Sequence, residues 1–400
     1  MKLMRLPALL VALALLLAPA PVLDTQGSRI VAIGDIHGSI DGLTAILKAA
    51  GLIDSARQWT GGTARLVQTG DYTDRGEGTR AVMDLLMALE PQARTAGGGT
   101  IVLLGNHEVM NLVNEVRDVT PEIFATFADA QSEQRRQAAW DAYRKLGEEK
   151  KRKGEPVPTV YAQQKNAWLS SHPIGFVEYM EALSPRGKYG AWLREKPMVT
   201  ELDGTIFMHA GIPPSSAPAQ IDDLNTQLRD EIRRLDRFLQ QLVERKLALP
   251  FFTLNEILQV ASSEIGLANA IIASAKEAGR EPDRRRLDTT LLLEAQEILK
   301  IDTWLAINGE KALWYRGLAT VADDPKGGPF AALLQKYGAK RFVTGHTPQQ
   351  NRNIGVRFGG RAILIDTGML TKVYKGRASA LEINGDALAA IYEDGRSTIP

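Results

Sequence analysis

Cysteine is absent from the 400 residues. That removes disulfides, thiolate zinc sites, cysteine nucleophiles and a lipid-modified N-terminal Cys together. Histidine is scarce, at five, so any metal must be held by those few rings with Asp, Glu or Asn. Neither sign of charge is in excess: 48 Lys+Arg stand against 47 Asp+Glu. The balance excludes disorder driven by net charge. It gives no support to a nucleic-acid partner, which needs a basic excess or stripe. A hydrophobic content of 44% is enough for a large core, and about 150 residues per domain suggests two to three structural units.

Long apolar runs are also rare. One stands out, Leu9 to Leu17, made wholly of Leu, Val and Ala. Lys2 and Arg5 precede it and Ala18-Pro19-Ala20 follows, which is the order of a secretory signal. The run is shorter than the roughly 20 residues of a membrane span. Residues 1–23 are therefore expected to be a signal peptide, with an uncleaved anchor helix as the alternative. The expected product is exported, periplasmic or secreted from a bacterium, with no stable membrane association once the signal is removed.

Strands and helices alternate over the first third of the chain. Arg29-Ile30-Val31-Ala32-Ile33, Ala64 to Thr69 and Thr100 to Leu104 read as strands, each followed by glycine. Leu43–Ala50 and Thr79–Leu89 have helical spacing. Such βαβ units predict a largely parallel sheet and gather the residues just past the strands, Asp35, Asp71 and Asn106, along one edge. Ligands of open α/β sheets bind at that edge. Thr205–Met208 and Arg341–Thr344 repeat the pattern and lead into His209 and His346. Leu224–Leu242, Leu254–Ala278 and Leu287–Leu299 read as helices. Glu122–Lys153 reads as one charged, solvated helix broken by Gly154-Glu155-Pro156-Val157-Pro158. Ala362–Ile365, Ala380–Ile383 and Leu388–Tyr392 read as strands of a second sheet.

Three strings concentrate the chemistry: Gly34-Asp35-Ile36-His37-Gly38, Gly70-Asp71-Tyr72-Thr73-Asp74-Arg75-Gly76 and Gly105-Asn106-His107-Glu108. Carboxylate and imidazole beside strand-end glycines suit a hard or borderline divalent cation. Asp35 and His37 are close enough to converge on one ion. Asp71 could bridge two, Asn106 supplies an amide oxygen to the second, and His209 and His346 complete that set. Two such ions would share a water and acidify it. His172, in Ser171-His172-Pro173, has no motif around it and reads as a surface or loop residue.

The order of these strings, with the later His209-Ala210-Gly211 and Gly345-His346-Thr347-Pro348, resembles the phosphoprotein phosphatase (PPP) superfamily of calcineurin-like metallophosphoesterases. Gly105 to Leu112, Leu313-Trp314-Tyr315-Arg316-Gly317 and Gly345 to Pro348 resemble its Shewanella-like branch. The resemblance implies an α/β fold, a β-sandwich of mixed sheets flanked by helices, spanning 28–400 with helical cap insertions at about 115–200 and 220–300. It also implies a metal-dependent phosphomonoesterase holding two divalent ions (Mn, Fe or Zn). Asp35, His37 and Asp71 would hold the first ion, and Asp71, Asn106, His209 and His346 the second. His107 would be the general acid, oriented by Asp74, and Arg75, Asn106 and Arg316 would bind phosphate.

The implied substrate is a phosphoprotein or phosphopeptide, on Ser/Thr or Tyr. The alternative is a small phosphorylated metabolite or nucleotide on the same metal pair, and a catalytically inactive binding module is the remaining one. Two departures from the family stand out: Ala210 where many eukaryotic members carry a glycine, and an Asn/Arg/Gly-rich Gln349–Gly360 in place of a Ser-Ala-Pro-Asn-Tyr segment. Oligomeric state is not encoded in any of these features.

Overall fold

β-Branched and apolar tetrapeptides form the strands that carry the site. In the computed structural model, which describes residues 29–154, 157–284 and 287–399, these are Ile30–Ile33 (β1), Arg65–Gln68 (β2) and Gly99–Val102 (β3). The signal-like residues 1–23 lie outside the described range. Further along come Val199–Leu202 (β4), Thr205–Met208 (β5), Arg341–Thr344 (β6), Gly355–Arg357 (β7) and Ala362–Leu364 (β8). Ser379–Asn384 (β9), Ala387–Tyr392 (β10) and Gly395–Ile399 (β11) close the chain.

Two mixed sheets result. The first has the order β11-β10-β9-β1-β2-β3 and the second β4-β5-β6-β8-β7. The pairs β1–β2, β2–β3, β5–β6 and β6–β8 are parallel; the others, including β9–β1 at the middle of the first sheet, are antiparallel. Alternation along each strand decides what it faces. Ile30, Ala32, Val67 and Leu103 meet Phe207, Val343 and Ile363 between the sheets. Val31, Ile33 and Leu66 point the other way, into a core with Leu43, Ile46 and Leu47 of helix Ile40–Ala49 and Val82, Leu86 and Leu89 of helix Thr79–Thr95. The fold is the expected α/β sandwich of mixed sheets flanked by helices.

Three expectations need correction. The segments 380–383 and 388–392 do not join the second sheet: β9 pairs antiparallel with β1, so they extend the first. Strand spacing signals a strand but not its partner. The charged stretch 122–153 is two helices, Pro121–Ala125 and Ser132–Lys153, and the longer one buries Trp140 and Tyr143 rather than presenting only a solvated face. His172 is only 2% exposed. Its ring stacks on Trp168 at 4.0 Å and meets Phe176 edge-on, aromatic neighbours four residues to either side that enclose it.

The helices read at 224–242, 254–278 and 287–299 are present as Asp222–Glu244, Leu254–Glu277 and Thr289–Ile298. Leu254–Glu277 starts with a capping box, in which Thr253 accepts from the Glu256 N–H and Glu256 accepts from the Thr253 N–H. By length and composition it is apolar enough to cross a membrane; its first turns, with Leu254, Ile257, Val260 and Ala261, belong to the protein core.

Candidate metal centre

All five strand ends singled out in the sequence converge, from both sheets, on one buried cluster. The turns that follow them are tight. His37, Asp71, Asp74, Arg75 and His346 all adopt positive φ, between 45° and 67°, a region that non-glycine residues enter at a cost. Two glycines make the approach possible. A Cβ on Gly105 would stand 2.2 Å from Asp71 Oδ1, and one on Gly345 would stand 2.1 Å from Asp35 Oδ1.

Glu108 holds the second turn. Its fully buried carboxylate accepts from the N–H groups of Gly105, Asp71, Tyr72 and Thr73 at 2.7–2.9 Å and from the Thr73 hydroxyl at 2.8 Å. Burial raises its pKa, and those donors supply the compensation a buried carboxylate needs.

Three histidines are locked by backbone carbonyls. His37 Nδ1 donates to Thr73 O at 3.1 Å, His209 Nδ1 to Thr69 O at 3.2 Å, and His346 Nε2 to Trp314 O at 3.0 Å. In its neutral form each ring would then present its other nitrogen bare, the state a metal-ligating imidazole requires. His37 Nε2 lies 3.6 Å from Asp71 Oδ2 and 3.9 Å from Asp35 Oδ2. His209 Nε2 lies 2.8 Å from Asn106 Oδ1, 2.9 Å from His346 Nδ1 and 3.3 Å from Asp71 Oδ2. Lone pairs thus face lone pairs, an arrangement a cation relieves.

Among the described residues two groups satisfy the spacing for a metal, His37–Asp71–His107 and Asp71–His209–His346, and they share Asp71. The donor set fits divalent cations of the Mn, Fe or Zn kind. Burial pushes His37 down to about 3, despite the neighbouring Asp71 carboxylate, and drives His346 well below the usual imidazole range, so both are neutral. Asp35 is raised by burial and then by Asp366 and Asp71. Burial would raise Asp71 as well, but His209, His107 and His37 hold it well below the ordinary carboxylate value.

His107 is placed differently. Its Nδ1 sits 2.9 Å from Asp74 Oδ2. The Asn111 amide donates to Asp74 Oδ1 at 2.8 Å, and the Tyr179 hydroxyl donates to Asn111 at 2.7 Å. Burial opposes a charge on His107, yet Asp71 and Asp74 together push it up to about 9. Its Nε2 lies 3.0 Å from Arg75 Nη2. A guanidinium only donates, so this contact belongs to the neutral ring and is incompatible with a proton on Nε2.

Arg316 is exposed at the rim, where Nη1 donates to His346 O at 2.6 Å and Thr347 Oγ1 at 3.2 Å. The structure thus gathers Asp35, His37, Asp71, Asp74, Arg75, Asn106, His107, His209, His346 and Arg316. His172 lies apart from them.

Two neighbours carried no motif. Tyr374 stacks on His37, with centroids 5.5 Å apart, and Arg75 lies over the same ring at 5.5 Å. Asp366 is buried beside Asp35. Neither is flanked by histidine, so spacing alone does not reveal them.

Comparison with known proteins agrees with this geometry. The Calcineurin-like phosphoesterase family model matches residues 28–255. An uncharacterised protein of Schizosaccharomyces pombe is 28% identical over 366 residues, 91% of this chain and 80% of that protein. Shewanella-like protein phosphatase 2 of Arabidopsis thaliana is 43% identical over 104 residues, 25% of this chain and 27% of that protein. Shewanella-like protein phosphatase 1 of Plasmodium berghei is 23% identical, over 85% of this chain and 67% of its own. The cold-active protein-tyrosine phosphatase of a psychrophilic Shewanella species has a similar fold, with TM-score 0.52, 22% identity and coverage of 93% of this chain and 80% of its own. With more than half its length matched by the family model, this chain belongs to the calcineurin-like phosphoesterase family, whose members are metal-dependent phosphoesterases.

Proposed function

We propose that this protein is a phosphomonoesterase that removes phosphate from protein side chains, using two divalent cations held on either side of Asp71. One observation carries the reading. Two clusters of candidate ligands share one carboxylate, and His107, at the edge of the first, pairs with buried Asp74 and meets the Arg75 guanidinium. Bound cations supply Lewis acidity, which polarises a phosphoryl oxygen and acidifies water.

The chain's own residues do the remainder. The Arg75 and Arg316 forks match phosphate oxygens and neutralise a dianion that would repel a nucleophile. The Asn106 side chain stands where it can reach both cation and phosphate. Asp74 keeps a proton on His107 Nδ1 and supports a second on Nε2. Water supplies the oxygen that bonds to phosphorus, and the Nε2 proton passes to the ester oxygen as the P–O bond breaks, leaving alcohol or phenol and inorganic phosphate.

Similarity to proteins named Shewanella-like protein phosphatases supports a phosphoprotein substrate. The Tyr374 ring at the mouth, over His37 and Arg75, favours an aromatic leaving group, hence phosphotyrosine. The leader at residues 1–23 supports an exported site of action, checked by N-terminal sequencing of fractionated protein.

The test is a phosphopeptide panel assayed after reconstitution with manganese, with Asp71→Asn as the blank. Turnover of phosphotyrosine peptides above phosphoserine peptides, with the preference lost in Tyr374→Ala, supports the proposal. Turnover confined to nucleotides or diadenosine tetraphosphate contradicts it and points to the small-molecule reading. No turnover at all leaves only a binding module.

A further inference from the structure

Asp366 is a buried acid that no motif accounts for. It follows β8, is 2% exposed, and lies within hydrogen-bond reach of the Asp35 carboxyl. The backbone brings it there. A Cβ on Gly34 would stand 2.7 Å from Ile365 O and 3.1 Å from Asp366 N, so only glycine lets the end of β1 close onto this segment. One Asp366 oxygen has an ordinary task, Oδ1 accepting from the Gly368 N–H at 3.0 Å. Its Oδ2 is buried and has no hydrogen-bond donor among the described residues.

The turn does not explain the charge. An asparagine accepts the Gly368 N–H equally well, as side-chain amides do in such turns, and would not set a second carboxyl against Asp35. A buried carboxyl without a donor is costly, and two facing each other raise one another further. A proton shared with Asp35 offsets part of that cost, and a cation at the adjacent lone-pair cluster would offset it with both carboxyls ionised.

We propose that Asp366 is a positioning residue of the cation centre, whose unmatched Oδ2 orients Asp35 and deepens the negative well at the first cation. This rests on the two-cation reading above. It makes the centre a contribution of β8 as well as of β1, β2, β3, β5 and β6.

The experiment measures manganese(II) binding to the full chain by equilibrium dialysis, with thermal melting of the cation-free and loaded forms, for wild type, Asp366→Asn and Asp366→Ala. The expected result for Asp366→Asn has two parts of opposite sign. Cation-free protein melts at or above the wild-type temperature because a buried charge is gone. Affinity at one of the two sites falls roughly ten- to a hundredfold, as for other groups that support metal ligands. Asp366→Ala loses that affinity too, and its cation-free form melts lower because the Gly368 turn is also lost.

Wild-type affinity at both sites in Asp366→Asn overturns the proposal. So does a fall in cation-free melting temperature in Asp366→Asn, which assigns the residue to the fold alone. Wild-type protein that binds no manganese would remove the two-cation reading itself, a distinct failure.

Discussion

At the scale of single residues, the centre depends on which atom of each ring is free. His37 and His209 donate Nδ1 to backbone carbonyls and offer Nε2; His346 does the reverse. Removing one of these nitrogens removes a ligand, whereas removing Asp71 removes the member both groups share. His107 has a different job, and leaving groups distinguish it. His107→Asn is expected to lose roughly 10²–10⁴-fold in kcat/KM on an alkyl phosphate. The loss on p-nitrophenyl phosphate is expected to be much smaller, because that phenol departs without a proton. Equal losses on both remove His107 from the acid role. The residue-level chemistry was legible because Asp, His and Asn stand beside strand-end glycines in short strings. Asp366 and Tyr374 were not, since their places are set by the closure of β1 on the 365–366 backbone and by the short helix Thr371–Tyr374.

At the scale of elements, the site is held by contacts that cross between them. Glu108, in helix Asn106–Leu112, clamps the turn after β2 through the N–H groups of Asp71, Tyr72 and Thr73 and caps its own helix through that of Gly105. Glu108→Ala leaves those donors without their acceptor at a cost of about 1–3 kcal/mol each if buried. A large fall in melting temperature, with loss of cation binding, is the expected result, while a wild-type melt would show the clamp to be dispensable.

Helix Phe176–Leu183 reaches the centre through Tyr179, Asn111 and Asp74. Tyr179→Phe is expected to cost about 1 kcal/mol of stability and to shift the acid limb of the rate profile with little change in cation affinity. An unmoved profile would detach this helix from catalysis.

His172 belongs to the element scale as well. Burial lowers it to about 4; its Nε2 and the Glu256 Oε1, 3.9 Å apart, both lack hydrogen-bond partners among the described residues. The unfolded ring binds its proton near 6.5, so between about 6.5 and 4 the unfolded state holds more protons and stability falls as pH drops. Glu256, raised by burial, works in the opposite direction. Relative to His172→Gln, wild type should therefore lose about 2 kcal/mol between pH 7 and pH 5, from the shift in this one group. Parallel pH dependence of the two proteins, measured by denaturant melts, would refute the burial argument. Trp168 and Phe176, four residues to either side, were local signs of this ring's place; its contacts with Phe251 and Glu256 come from a distant segment and left none.

At the scale of the whole molecule, one structural idea organises the chain: parallel strands from two sheets end at the same rim, and each turn past a strand delivers one or two of the proposed ligands. The βαβ rhythm made that rim readable. The split into two sheets, and the return of β9 to lie against β1, were set by pairing across nearly the full chain length and left no local trace. Asp35, Asp71, Asp74, Glu108 and Asp366 are all buried around that rim, a concentration of carboxyls that bound cations would help to neutralise. Adding divalent cation at about 100 times its Kd should stabilise the protein by roughly 2.7 kcal/mol per site, and chelation should reverse the gain. A melting temperature indifferent to manganese and to chelator would mean that the buried acids are balanced in some other way.

The central claim is that two cations meet at one carboxylate. The most direct measurement is anomalous scattering from crystals of manganese-reconstituted protein, wild type beside Asp71→Asn. Two peaks that both contact Asp71 in wild type, and neither in the variant, are the predicted result. A single peak, or two peaks of which neither touches Asp71, would contradict the account.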